Sequence, residues 1–170
     1  MVHIRHGTAA DVAPVLALYD QAVEWLVANG RPGQWGTRSF SVQPQLVAQI
    51  SEVTASGTMR IAQVDGNDPA GAMWLAEAPS YAPPPDQPEL YLHGLVVDRT
   101  RSGQGIGRAL LDHALGEAER SGARQVRLDC WAGGDQALVR YYQRAGFNVV
   151  GQITLGDGWP GMFLTRQVPR

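Results

Sequence analysis

The sequence predicts a mixed α/β fold, with a mostly antiparallel central sheet and one parallel strand–helix–strand crossover. Three observations carry this. Short apolar runs recur between glycine and proline clusters, as strands do. Four stretches place apolar side chains at helical spacing. A glycine-rich turn at 97–111 joins a strand to a helix, and a further strand follows, which makes a right-handed parallel crossover. With 170 residues, 44% hydrophobic and 18% charged, the chain is expected to form one domain over 1–170 with a sizeable core.

The elements follow in order. Residues 2–5 read as a short strand. Thr8 followed by Asp11 resembles a capping box with aspartate in the usual glutamate position, and it opens a helix over 9–28. Val12, Val15, Leu16, Tyr19, Val23, Leu26 and Val27 mark its apolar face, and Asn29-Gly30 ends it. The loop 30–40 is punctuated by glycine and proline around Trp35. A second helix covers 43–53, and Gly57 breaks it. Strands 58–65 and 70–77 form a hairpin through Gly66-Asn67-Asp68. Five prolines (79, 83, 84, 85 and 88) exclude regular structure from 78–88.

Strand 89–98 is apolar on both faces, as a covered strand should be. The helix 104–121 carries Ile106, Leu110, Ala114 and Ala118 on one side and stops near Gly122. A strand at 124–131 and a helix at 135–145 ended by Gly146 come next. Strands 147–154 and 161–168 close the chain around the turn Gly156-Asp157-Gly158-Trp159-Pro160.

Composition excludes several chemistries. The chain has no lysine; its 14 basic side chains other than histidine are all arginine. That removes the lysine-terminated phosphate loop and any lysine Schiff base. Codon bias in a high-GC genome accounts for the absence, and the chemical exclusion holds whatever its origin. Cys130 is alone, so no internal disulfide or four-cysteine zinc site forms. The histidines His3, His6, His93 and His113 lack metal-site spacing, so no metal is expected. A net charge of −2 exerts no pull toward nucleic acid or anionic membrane. There is no apolar run of membrane-spanning length (about 20 residues) and no secretory leader pattern, so a cytoplasmic protein is expected.

The turn VDRTRSGQGIGRALL holds Gly103, Gly105 and Gly107 between a strand and the first turn of a helix. Glycines let a backbone approach a ligand closely. The helix start adds unpaired N–H donors and the positive dipole end. Arg99, Arg101 and Arg108 add charge. Together they suit a diphosphate with no lysine required. The dinucleotide fingerprint fits poorly: counted from Gly103 its last position is Arg108, and from Gly105 it is Leu110. Asp129, near the end of the next strand, is the one point in that motif's favour.

This segment resembles the acetyl-CoA signature of the GCN5-related N-acetyltransferases, written [Arg/Gln]-x-x-Gly-x-[Gly/Ala]. Gln104-Gly105-Ile106-Gly107-Arg108 matches it, and Ser102 stands where the family has arginine or glutamine; Arg101 or the Ser102 hydroxyl can substitute. A second motif agrees: Tyr142 precedes Gly146-Phe147 in YYQRAGF, with Asp135 at the family's asparagine position. The resemblance covers essentially the whole chain. It implies the acyl-CoA N-acyltransferase fold, acetyl-CoA as co-substrate, a bacterial N-acetyltransferase, and an amine acceptor that is a small molecule, an antibiotic or a protein N-terminus. Homodimers are common in the family.

The resemblance also implies roles. Backbone groups of Leu95, Val96 and Val97 pair with the pantetheine arm, and an N–H near Leu95 polarises the thioester. Arg101, Ser102, Gly103, Gln104, Gly105, Ile106, Gly107 and Arg108 hold the diphosphate, with Asp135 and Tyr142 also near CoA. The adenosine end lies by Arg101 or Arg140. Spacing alone favours Tyr142 as a packing residue; with the resemblance added it becomes the general acid, a phenol of pKa about 10 donating to a leaving thiolate. Glu89, Tyr91 and His93 share one strand face; His93 or Glu89 is the base candidate, with Glu24 a further one, and His93 equally suits a hydrogen-bonded core histidine. Trp35, Tyr81, Trp131 and Trp159 are expected to line the acceptor pocket. Cys130 reads as a buried inert thiol. A CoA-binding module without catalysis remains the alternative, followed by a Rossmann-like nucleotide domain.

Overall fold

A computed structural model describes residues 1–66 and 68–170. The elements run β1 (Val2–His6), α1 (Val12–Ala28), α2 (Pro44–Ala55), β2 (Met59–Val64), β3 (Pro69–Ala76), β4 (Glu89–Val97), α3 (Ile106–Ser121), β5 (Gln125–Trp131), α4 (Ala137–Arg144), β6 (Asn148–Leu155) and β7 (Trp159–Gln167). The order is the one read from the sequence. Asn67, in the expected hairpin turn between β2 and β3, lies outside the described residues.

Chain contacts divide the protein into two units. The first comprises Met1–Leu75 with Gly94–Leu110, and the second Ala76–His93 with Leu111–Arg170. In the first the strands follow one another as β1-β2-β3-β4, and in the second as β4-β5-β7-β6. β1 pairs antiparallel with β2, and β2 with β3. In the second unit β4 runs parallel to β5 over Glu89↔Gln125, Leu90↔Val126 and Tyr91↔Arg127. β5–β7 and β6–β7 are antiparallel. The result is the expected α/β fold, mostly antiparallel with one parallel pair.

The capping box at Thr8 and Asp11 is present. The Asp11 carboxylate accepts from the Thr8 N–H at 2.7 Å and from both Arg5 guanidinium nitrogens at 2.8 Å. A 3-10 turn at Ala9–Asp11 precedes α1, so the regular helix starts later than the apolar periodicity suggests. In the first unit α1 buries Val15, Leu16, Tyr19 and Val23, and the β2 and β3 residues Met59, Ile61 and Met73 are fully buried. In the second, Ala114, Ala118, Val126, Leu128 and Leu164 are buried.

Among the other boundaries that differ from expectation, three lie near the candidate site residues, and backbone geometry explains two of them. α3 begins at Ile106 rather than 104, because Gly103 and Gly105 hold φ of +83° and +77°, outside the helical region. α4 begins at Ala137, because Gln136 has φ +58°. β7 begins at Trp159, which pairs with Leu155, so Trp159 and Pro160 belong to the strand and the turn is confined to 156–158.

Candidate active site

The first unit carries the glycine-rich turn. β4 delivers it through Asp98, whose carboxylate accepts from the Thr100 N–H at 2.9 Å and the Thr100 hydroxyl at 2.7 Å. A 3-10 turn follows at Arg99–Arg101. Gln21 of α1 anchors its start, accepting from the Arg99 N–H at 2.8 Å and donating to Asp98 at 3.3 Å. At Gly103 and Gly105 an added Cβ would meet nothing within 4 Å, so backbone sign and not crowding requires glycine there. The first hydrogen bond of α3 runs from the Ala109 N–H to the Gly105 carbonyl at 3.0 Å. The helix pairs none of the earlier amides of its first turn with its own carbonyls. Ser102, Gly103, Gln104 and Gly105 are exposed; Ile106 and Gly107 are buried.

α3 sits close on the sheet within this unit. A Cβ at Gly71 of β3 would lie 2.9 Å from Ile106 Cγ2 and 3.1 Å from Leu110 Cδ1. The glycine-rich turn therefore leads into a closely packed helix start.

The three arginines differ in their commitments. Arg99 lies over the Trp25 ring, 3.5 Å from its centroid, and burial lowers its pKa from the ordinary value. Arg101 pairs with Asp98 at 3.7 Å. Arg108 is exposed on α3. Arg101 is half-buried like Arg99, and of the three only Arg108 is exposed.

β4 bends inside this unit. Gly94 has φ +62°, and the Tyr19 hydroxyl donates to its carbonyl. Tyr19 stacks on Phe40 at 4.7 Å and meets Trp35 edge-on at 5.4 Å. Leu95 and Val97 are part-exposed, and Val96 is buried. A glycine inside an apolar strand was the available signal for this bend.

The second unit carries the polar candidates. Glu89 and Arg127 form an ion pair at 2.7 Å with side chains only 7% and 6% exposed. Gln125 donates to the other Glu89 oxygen at 3.1 Å. Arg127 also donates to the Pro83 carbonyl at 2.8 Å, which ties the proline-rich loop to β5. His93 Nε2 is 2.9 Å from the Glu77 carbonyl, and its ring lies 4.9 Å from that of Tyr91. Burial pushes the His93 pKa below its ordinary value, so the ring is neutral at pH 7.

Asp129 completes the group. Its carboxylate accepts from the Tyr91 hydroxyl and, at 3.0 and 3.1 Å, from the Tyr81 hydroxyl. Sequence reasoning weighed Asp129 only as a nucleotide-ribose ligand. Arg127 and Asp129 stand two apart on β5, beside Glu89, Tyr91 and His93 two apart on β4. That matched alternation was the signal, and it needed the strand register to be read.

Tyr142 is buried in α4. Gly146, at φ +92°, ends the helix, and the Phe147 N–H returns to the Tyr142 carbonyl at 3.0 Å. The Phe147 ring then meets the Tyr142 ring edge-on at 5.9 Å. The Gly-Phe motif therefore positions the tyrosine. Asp135 accepts from the Ala137 N–H at 3.1 Å and pairs with Arg140 at 3.6 Å, so it caps α4. Cys130 is buried, with its thiol pKa raised to about 12 by burial and by Asp129. Among the described residues no three metal-ligating side chains converge, and no helix is long and apolar enough to cross a membrane.

The chain is 29% identical over 152 residues to YesJ, an uncharacterised N-acetyltransferase of Bacillus subtilis (strain 168), covering 86% of this chain and 81% of that protein. An acetyltransferase of the GNAT family from Listeria monocytogenes 4b F2365 superposes with a TM-score of 0.72 at 21% identity, over 98% of this chain and 94% of that one. yncA from Salmonella typhimurium, solved with its cofactor acetyl-CoA, superposes with a TM-score of 0.68 at 21% identity, over 100% of this chain and 95% of that one. These two structures share the fold. The model of the acetyltransferase (GNAT) family matches residues 19–147, most of the chain, and that stretch contains both the glycine-rich turn and the YYQRAGF motif. The chain belongs to the acetyltransferase (GNAT) family and is an acyltransferase of the N-acetyltransferase type.

Proposed function

We propose that residues 1–170 act as one domain that transfers the acetyl group of acetyl-CoA directly to the nitrogen of an amine. The observation that carries this is the turn 98–108. Two exposed left-handed glycines, an anchored start and a helix N-terminus form a diphosphate seat with no lysine in the chain. Arg101, Ser102 and the amides of Gly103 and of Gly105 to Arg108 hold the diphosphate, the Gln104 N–H being donated to the Arg101 carbonyl at 3.2 Å. The backbone of Leu95 to Val97 pairs with the pantetheine amides.

In the reaction an uncharged amine nitrogen attacks the thioester carbonyl carbon. The C–N bond forms and the carbonyl oxygen gains charge, which the Leu95 N–H stabilises. As the C–S bond breaks, the CoA thiolate takes a proton from the Tyr142 hydroxyl. The nitrogen loses its proton to His93. Of the two base candidates on β4, His93 is favoured, because the Glu89 oxygens are already engaged by Arg127 and Gln125. With Nε2–H donating to Glu77, the neutral ring carries its lone pair on Nδ1.

Release of free thiol from acetyl-CoA across an amine panel tests the reading. Tyr142→Phe is expected to leave acetyl-CoA binding intact and to slow release about a hundredfold, the lower range for a lost general acid. Unchanged release would remove Tyr142 from the mechanism. Binding of acetyl-CoA without release for any amine would leave a CoA-binding module.

A further inference from the structure

We infer that Asp129, with the Tyr81 ring beside it and the Tyr91 hydroxyl holding it, seats a cationic group of the acceptor, and that this group is distinct from the nitrogen that attacks. The inference rests on the acetyl-transfer reading and names the class of amine it takes, a diamine.

Arg127, the cation on the same face of β5, is paired with Glu89. His93 is neutral at pH 7. Among the described residues no cation pairs with Asp129, so its charge is balanced only by two phenol hydroxyls. A part-buried carboxylate held by neutral donors costs free energy unless a cation joins it. A carboxylate has about four lone-pair positions. Three hydroxyl contacts from two phenols leave room for an ammonium donor.

The surroundings suit an ammonium and admit one. Tyr81, on the proline-rich loop, is 42% exposed and Asp129 itself is half-buried, so the carboxylate is reachable. The exposed Tyr81 ring offers a face that attracts a cation, while Tyr91, buried with Arg127 over its ring, contributes its hydroxyl. An ammonium held by an uncompensated carboxylate is stabilised in its charged form. Such a nitrogen has no lone pair and does not attack. The acceptor therefore needs a second, uncharged amine for the acetyl group. A monoamine bound here has none to offer.

Matched alkyl monoamines and α,ω-diamines from propyl to hexyl test this in two ways. Without turnover, diamines are expected to raise the melting temperature of the wild type and not of Asp129→Asn. With turnover, the wild type is expected to favour diamines over monoamines by tenfold or more in kcat/KM. Asp129→Asn should erase that preference through KM, with acetyl-CoA binding retained as the check on folding. Tyr81→Phe, on the exposed loop, removes a donor that competes for the carboxylate, and should lower KM for diamines alone. A wild type indifferent to the second amine, or a preference that survives Asp129→Asn, overturns the inference. A diamine shift that depends on Asp129, without thiol release, upholds the seat and counts against the acetyl-transfer reading instead.

Discussion

Gly94→Ala is expected to lower the melting temperature by about 10 °C. Two costs add. The residue sits at φ +62°, where an L side chain is strained by about 1–2 kcal/mol. The new methyl would lie 2.1 Å from Trp74 Cζ3, 2.7 Å from Trp74 Cη2 and 2.6 Å from the Tyr19 hydroxyl. Overpacking of this kind costs about 1–3 kcal/mol, and Trp74 is itself buried against relief. At about 2–4 °C per kcal/mol for a chain of this size, the sum gives the stated shift. The Tyr19 bond to the Gly94 carbonyl is displaced as well. The adjacent Leu95 amide then moves, so acetyl-CoA affinity falls with stability. A thermal melt checks the first point; a drop under 2–3 °C would show that the ring and backbone yield at little cost.

Arg127→Met is expected to cost about 3–5 kcal/mol, the range for stripping one partner from a buried ion pair. The Glu89 carboxylate is then left buried, with Gln125 as its remaining donor. The Pro83 carbonyl loses its donor, and the Tyr91 and Phe163 rings lose a cation 5.3 and 5.9 Å from their centres. Glu89→Leu alone strands the guanidinium in the same way. The double variant should recover most of the loss, because two apolar side chains replace two charges. Urea unfolding of the four proteins measures the cycle. Additive losses would show that the pair is not coupled and would free Glu89 for another role.

The element order was legible because each stretch agrees with itself. The helices carry apolar side chains at period 3.6, and glycine or Asn-Gly closes them where the structure shows a left-handed residue, as at Gly30 and Gly146. The glycine-rich turn was legible as a turn because its shape is set by the backbone, with glycines at alternate positions, two of which hold positive φ. Helix starts were misjudged where φ turned positive, at Gly105 and at Gln136; a glutamine gives no warning of that. The Tyr81, Tyr91 and Asp129 group was not legible, because it joins a loop and two strands whose register had to be known. Nor did spacing reveal that Glu89 is committed to Arg127, since parallel pairing places them on neighbouring strands.

A chain without lysine is expected to hold the diphosphate of acetyl-CoA on the turn 98–108. Melting temperature measured with acetyl-CoA, CoA, NAD and S-adenosylmethionine tests it most directly. At a ligand concentration of about a hundred times Kd, binding adds about 2.7 kcal/mol. Acetyl-CoA and CoA are therefore expected to raise the melting temperature by roughly 5–10 °C, and NAD and S-adenosylmethionine to leave it unchanged. No shift with either CoA species, or a shift with NAD in their place, would contradict the account.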